Sequence, residues 1–121
     1  MTINCDTVDG YHAGDMSGAQ EAWITPTLLN SWVNFGGGYS TVGYYKDSLG
    51  IVHVKGIVKS GTAVGIFVLP AGYRPVEILR LPTFTNGVFG WISIDTAGDV
   101  NAGGGYSNVS FALDVVNFKA V

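Results

Sequence analysis

The chain has 121 residues, which suits a single domain, and it carries a formal net charge of −3. Charged residues make up 12% of it, about half the usual fraction, and 18 residues are glycine. This balance predicts no basic surface for nucleic acid, and no apolar run approaches the roughly 20 residues that span a bilayer. We therefore expect neither a nucleic-acid partner nor membrane insertion.

The start of the chain differs in composition from the rest. Residues 1–22 are polar, small and interrupted by glycine, which favours turns and extended chain. Only Ala19–Ala22 is suited to a helical turn, and it is too short to be stable alone. Since this segment cannot bury a core by itself, we interpret residues 1–22 as a neck that is ordered by pairing with copies of itself. Residues 23–121 then form the head domain.

From Trp23 onward the apolar residues alternate as they do in β-strands. Along Ile51–Lys59, Val52, Val54 and Val58 fall on one face, and the basic side chains fall on the other. Short strands separated by turn residues indicate an all-β domain, an antiparallel β-sandwich or barrel of a jelly-roll-like kind. The predicted strands are Trp32–Phe35, Val42–Asp47, Ile51–Lys59, Val64–Leu69, Val76–Thr83, Val88–Asp95, a short piece near Val100, and Val109–Phe118.

Antiparallel strands alternate in direction, so successive loops should alternate between the two ends of the domain. Turns at Asp47–Gly50, Ala71–Pro75 and Thr96–Asp99 fall at the end where the neck enters, which we call the proximal end. The loops of the opposite, distal end are rich in small polar and aromatic residues, a composition suited to recognition. These distal loops are predicted at Gly36–Thr41, Lys59–Ala63, Phe84–Gly90 and Gly103–Asn108.

Residues suited to catalysis or metal binding are few. The chain has one cysteine, which allows no internal disulfide, and two histidines, His12 and His53, which are far apart. No nucleophile-elbow motif is present. Asp95 and Asp99 flank one turn, where acidic residues usually serve the turn rather than calcium. We therefore predict no catalytic residue, no metal and no cofactor.

Aromatic side chains are the remaining signal for binding. An exposed aromatic ring can cover the apolar face of a sugar, while neighbouring polar groups bind the hydroxyls. For Trp91 and Tyr106, ligand binding and packing both stay open. The core is expected to hold Trp32, Phe67, Phe111 and Phe118. The residues assigned to a saccharide site, in or beside the distal loops, are Trp91, Tyr106, Asn86, Asn108 and Phe89.

Two stretches carry a resemblance to a known family. The run from Tyr45 to Pro75 ends in Leu-Pro-Ala-Gly-Tyr-Arg-Pro and resembles the C-terminal head domain of bacteriophage tail fibres. The run Thr7–Ala13 is similar to a short segment that precedes the terminal domain of such fibres. The resemblance implies that the chain forms a homotrimer at the tip of a tail fibre. It implies that the virion is assembled in the cytoplasm of the bacterial host. It also implies contact with other phage tail proteins on the N-terminal side, and it favours Met1 as an initiator added to an excised fragment.

The function that the resemblance implies is host attachment. The head would be a non-catalytic receptor-binding domain for a saccharide of the host cell wall or capsule, and trimers would strengthen weak contacts through avidity. If Trp91 and Tyr106 do not bind the receptor, the flank near His53 and Lys55 is the next candidate. Two other functions stay open: a structural fibre-tip or baseplate domain that binds no glycan, and a polysaccharide depolymerase, which would need two facing carboxylates.

Overall fold

A computed structural model of the chain describes residues 20–120. This range contains ten strands and no helix, and every strand pair is antiparallel, so the predicted all-β antiparallel sandwich is confirmed. The strands are β1 (Val33–Asn34), β2 (Gly43–Lys46), β3 (Ile51–Lys55), β4 (Ile57–Lys59), β5 (Gly65–Val68), β6 (Leu79–Thr85), β7 (Val88–Ile94), β8 (Asp99–Gly103), β9 (Phe111–Ala112) and β10 (Asn117–Lys119).

Several of the sequence predictions concern residues at the start of the chain. Thr7–Ala13, Cys5, His12 and most of the predicted neck lie outside the described residues. Residue 20 lies in a bend and residues 21–22 are not helical, while Ala19, where the helical turn considered for Ala19–Ala22 begins, is outside the described residues. None of the described residues builds a helix with the length and apolarity that a membrane crossing requires.

The strands form two layers. One layer is a four-stranded sheet with the order β5-β8-β7-β6. The other consists of two three-stranded sheets with the orders β10-β3-β2 and β9-β4-β1. Only Gly56 separates β3 from β4. Since β9 pairs with β4 and β10 pairs with β3, the two small sheets continue into one another as one bent layer. A single apolar core lies between the layers.

The bend at Gly56 corrects two predicted strands. Ile51–Lys59 and Val109–Phe118 were each expected to be continuous, and both are interrupted at the same level. The backbone N–H of Gly56 donates to Oδ1 of Asp114 at 2.7 Å, so a side chain takes the place of a ladder carbonyl. A Cβ on Gly56 would come within 2.6 Å of the Val42 Cα, so the packing of a neighbouring loop requires glycine at the bend.

The core contains the aromatic residues that the alternation placed there. Trp32, Phe67, Phe111 and Phe118 are buried, as are the valines on one face of β3 and β4. Trp32 is 2% exposed, and its indole Nε1 donates to the Ala63 carbonyl at 2.8 Å. The ring of Trp32 lies 6.2 Å from that of Phe111. The strand pattern alone was therefore sufficient to identify these core positions.

A two-residue hairpin replaces one of the predicted distal loops. The prediction of a loop over Phe84–Gly90 is wrong, because β6 and β7 continue to Thr85 and from Val88. Asn86 and Gly87 alone make the turn, with φ values of 52° and 79°, as a type I′ turn requires. The strand β6 also begins at Leu79 rather than Val76, and the piece near Val100 is a full five-residue strand.

Most of the loops separate into two ends as expected, but the prediction of Gly36–Thr41 as a distal loop is wrong. Because β1 and β2 both run antiparallel to the stretch Ile51–Lys59, the loop between them lies beside Gly56, at mid-height of the bent layer. At the distal end, Asn108 Nδ2 donates to the Gly61 carbonyl at 3.1 Å and joins two loops. At the proximal end, Lys46 Nζ donates to the Gly72 carbonyl at 2.8 Å. Glu21, near the beginning of the described chain, accepts a hydrogen bond from the backbone N–H of Lys46 at 3.0 Å. The chain therefore enters the domain at the proximal end.

Candidate functional site

Trp91 lies on the outer face of the four-stranded sheet. It is partly exposed, and it pairs with Pro82 on one side and Gly103 on the other. A Cβ on Gly103 or Gly104 would approach the indole to 2.4 Å, so these glycines lie directly against one face of the ring. The Arg80 guanidinium lies over the ring, 4.5 Å from its centroid. Because the glycines lie against one face of the ring, the guanidinium occupies the other face. A ligand that stacks on the indole would therefore have to displace Arg80.

Phe89 and Phe84 form an exposed pair on the same face. Their rings are stacked with centroids 5.5 Å apart, and they are 75% and 62% exposed. Together with Pro82, Ala112 and Val115 they line an open apolar pocket of about 200 Å³. The Thr83 hydroxyl, the only polar side-chain group in the lining, already donates to the Ala112 carbonyl at 2.8 Å. This pocket suits an apolar partner better than a sugar.

Tyr106 and Asn108 hold the β8–β9 loop against the core. The Tyr106 ring is partly buried and lies 6.0 Å from that of Trp32 and 6.4 Å from that of Phe111. The Asn108 amide is bonded to the Gly61 carbonyl. Both side chains therefore have packing or structural contacts at this end.

Asn86 lies at the tip of the β6–β7 hairpin. Its backbone N–H donates to Ser110 Oγ at 3.1 Å, while the buried Thr85 hydroxyl donates to the carbonyls of Ser107 and Ser110. The five residues assigned to a saccharide site thus lie in three places. Phe89 and Trp91 share the sheet face, Tyr106 and Asn108 share a loop, and Asn86 lies at a tip. They do not line one pocket.

A second pocket lies between the β1–β2 loop and the start of β9. It has a volume of about 160 Å³ and is lined by Phe35, Tyr39, Ile57 and Ser110. The Tyr39 and Phe35 rings meet edge to face with centroids 5.3 Å apart. Lys59 Nζ lies 5.4 Å from the centroid of the Phe35 ring. The sequence placed Tyr39 in a distal loop, but its pocket depends on β4 and β9, which are distant along the chain.

The charged residues near the proximal turns serve those turns. Asp47 Oδ1 accepts from the backbone N–H groups of Leu49 and Ile51, and its Oδ2 lies 2.9 Å from His53 Nε2. The hydrogen bond to His53 is the largest cause that lowers the pKa of Asp47. The His53 ring stacks on Tyr45 with centroids 4.9 Å apart. His53 on the flank is thus engaged with its own hairpin.

Asp95 and Asp99 show the same behaviour at another turn. Asp95 Oδ1 accepts from the backbone N–H of Ala97 at 3.0 Å and of Asp99 at 3.1 Å, which is the turn chemistry that the sequence suggested. Burial, followed by the charge of Asp95, raises the pKa of Asp99. Between residues 20 and 120, no three His, Cys, Asp or Glu side chains are placed to hold a metal ion together.

A polar contact attaches the entering chain to the Leu69–Pro75 corner. The Tyr73 hydroxyl donates to Glu21 Oε2, and Lys46 Nζ lies 5.0 Å from the Tyr73 ring centroid. The hydrogen bond from Tyr73 is the largest cause that lowers the pKa of Glu21, and the same bond raises the pKa of Tyr73 to about 12. The corner therefore has a structural role, because it fixes the direction in which the chain enters.

Removing the Tyr73 hydroxyl should weaken this contact. In Tyr73→Phe we expect the pKa of Glu21 to rise toward its ordinary value, as measured by an NMR titration of the carboxyl. A carboxyl whose pKa is lowered by folding stabilises the fold above its unfolded pKa and loses that contribution as the pH falls through the folded pKa. The parent should therefore be more stable than the variant at neutral pH, and the difference should shrink in acid.

Tyr45→Phe is the matched control, since it removes the same atom from a tyrosine whose ring packs on Trp23 and His53 rather than on Glu21. The pKa of Glu21 should be the same in Tyr45→Phe as in the parent. An unchanged Glu21 pKa in Tyr73→Phe would show that the hydrogen bond does not persist in solution.

The fold can now be compared with known proteins. No protein-family model and no curated protein matches the chain. The structure is similar to the crystal structure of the receptor binding protein (gp15) of Listeria phage PSA, with a TM-score of 0.65 and 21% sequence identity. The similarity covers 84% of this chain and 67% of that one. At this identity the comparison establishes a shared β-sandwich fold.

Proposed function

We propose that this chain is a phage host-attachment domain, the head of a tail fibre or receptor-binding protein. It would bind a saccharide of the host cell wall or capsule without catalysing a reaction. The observation that carries the proposal is the similarity of its fold to the receptor binding protein of Listeria phage PSA. The tail-fibre resemblance of Leu69–Pro75 and Thr7–Ala13 supports the same role from the sequence.

The placement of the two ends is consistent with attachment. Because Glu21 contacts the proximal end, the distal loops point away from whatever precedes the domain. The domain would therefore sit at the tip of a tail fibre in the virion, with other tail proteins on its N-terminal side. Its distal end exposes Val109 and the Asn86–Gly87 tip to the surroundings.

We also propose that three copies assemble through the outer face of the four-stranded sheet. Along β6 and β7, Arg80 is the only charged side chain on that face, while the outer face of β3 and β4 carries His53, Lys55 and Lys59. The exposed Phe84–Phe89 pair lies on the first of these faces, and its pocket opens at the adjoining β6 edge, where Ala112 and Val115 of the other layer complete the lining. A contiguous exposed apolar surface of this kind is typical of a protein contact site.

Binding to purified bacterial polysaccharides tests the function. On an array of capsular and cell-wall polymers we expect the full chain to bind one class of glycan and to leave the length of that polymer unchanged after incubation. Periodate oxidation of the sugar rings should abolish the binding. A chain that binds none of the polymers would favour a structural fibre-tip role, and a shortened polymer would identify a depolymerase.

A further inference from the structure

The pocket beside Tyr39 differs in chemistry from the one beside Phe89. Both contain aromatic rings, but the Tyr39 pocket is also lined by Ser110. Ser110 Oγ accepts a hydrogen bond from the backbone N–H of Asn86 at 3.1 Å, so its own hydrogen is left to donate elsewhere. A ligand with hydroxyl groups could therefore be bound in this pocket.

The ring of Tyr39 is held in place although much of it is exposed. The preceding residues Gly36, Gly37 and Gly38 have φ values of 82°, 63° and 88°, a left-handed run that other residues rarely adopt. The backbone N–H of Tyr39 donates to the Gly36 carbonyl at 3.1 Å, and its ring packs edge-on against Phe35. The side chain is nevertheless 56% exposed. A positioned and accessible aromatic ring is what stacking on a sugar requires.

Lys59 adds a positive charge beside the pocket. Its Nζ lies 5.4 Å from the centroid of the Phe35 ring. In the part of the chain from 20 to 120, the one pair of a basic and an acidic side chain with nitrogen and oxygen within 4.0 Å is His53 with Asp47, so Lys59 has no carboxylate partner there. Asp114, between β9 and β10, is not available to Lys59 through its Oδ1, which accepts hydrogen bonds from Ser40 Oγ and from the backbone N–H of Gly56.

We propose that the pocket formed by Phe35, Tyr39, Ile57 and Ser110 binds a sugar ring that bears a negatively charged group, a carboxylate or a phosphate. Tyr39 would cover the apolar face of the ring, Ser110 would donate to a hydroxyl, and Lys59 would pair with the anion. This inference rests on the proposed function and adds the place of the site and the charge of its ligand.

The test uses the full chain and three purified polymers, one with uronate groups, one with phosphodiester groups and one neutral. The variants are Tyr39→Ala, Tyr39→Phe and Lys59→Gln, with Trp91→Ala as the variant of the rival site. Affinity is measured at low and high salt, and circular dichroism checks that each variant is folded. Backbone NMR spectra with and without the polymer locate the contact independently of the substitutions.

We expect a charged polymer to bind the parent better than the neutral one. Tyr39→Ala should lower that affinity about tenfold or more, the scale of an interface hot spot, while Tyr39→Phe and Trp91→Ala bind like the parent. Lys59→Gln should weaken binding and reduce its salt dependence. The polymer that binds, uronate or phosphodiester, identifies the anion, and the NMR shifts should cluster at Phe35, Tyr39 and Ser110.

Two results would overturn the inference in distinguishable ways. If the parent binds polysaccharide while Tyr39→Ala and Lys59→Gln bind equally well, the receptor site lies elsewhere and the attachment function stands. A loss confined to Trp91→Ala would assign the site to the sheet face. If the parent binds none of the polymers, the proposed function fails, and the site fails with it.

Discussion

Replacing Trp32 by alanine should lower the free energy of unfolding by about 3–5 kcal/mol, the range for removing a buried aromatic side chain. The side chain is 2% exposed, so the substitution would leave a cavity between the two layers of the sandwich. It would also remove the donor to the Ala63 carbonyl. The indole lies directly against Gly61, where a Cβ would come within 1.9 Å of the ring, so this neighbour has no side chain to fill the space left by the substitution.

Trp23→Ala is the matched control for this change. Trp23 is 48% exposed and contacts the Tyr45 ring edge to face and the Lys55 ammonium, so its loss should cost only about 1 kcal/mol. Urea unfolding followed by circular dichroism measures the loss of unfolding free energy in both variants. All proteins are measured at the same concentration, because association of copies would add to the apparent stability. Equal losses for the two variants would contradict the assignment of Trp32 to the core.

The core could be predicted because burial imposes a two-residue period on each strand. Val52, Val54 and Val58 alternate with basic residues, and their burial follows from that pattern alone. The proximal turn was predictable for a similar local reason, since Asp47 binds the backbone N–H groups within its own hairpin. In both cases the residues that determine the structure are neighbours in the sequence.

The bend at Gly56 could not be found in this way. It depends on Asp114, more than fifty residues away, whose carboxylate replaces a ladder partner. The Asn86–Gly87 turn is different, because an Asn-Gly pair between strands is a local signal for a type I′ hairpin. This pair alone predicts a two-residue turn, whereas the composition of Phe84–Gly90 suggests a longer loop.

The candidate site was less predictable than the fold because it depends on which side chains meet across strands. The sequence places Trp91 near a distal loop, but Arg80 covers the ring from the neighbouring strand and two glycines lie beneath it. Tyr39, in contrast, gains its pocket from Ile57 and Ser110, which lie in other parts of the chain. Such contacts follow from strand order and register, which the sequence pattern left open.

Replacing Phe89 by aspartate should convert the proposed trimer into monomers. Phe89 is 75% exposed in one copy of the chain and stacks on Phe84 beside the apolar pocket. If a second copy covers this surface, the variant places a carboxylate in an apolar contact. The one positive side chain on this face of β6 and β7 is Arg80, and it is engaged with the Trp91 ring. Burial of an unpaired charge costs several kcal/mol, so association should weaken by about 100-fold or more.

Light scattering coupled to size exclusion measures this change directly, with the parent expected at three times the mass of the chain and Phe89→Asp at the mass of one. Leu49→Asp is the control, since it adds the same charge at a strongly exposed position on the proximal Asp47–Gly50 turn and should leave the trimer intact. Each variant should keep the circular dichroism spectrum of a β protein, because neither side chain belongs to the core.

A parent that is monomeric would refute the trimer itself. A Phe89→Asp variant that remains trimeric while Leu49→Asp dissociates would move the contact to the proximal end, where the neck enters.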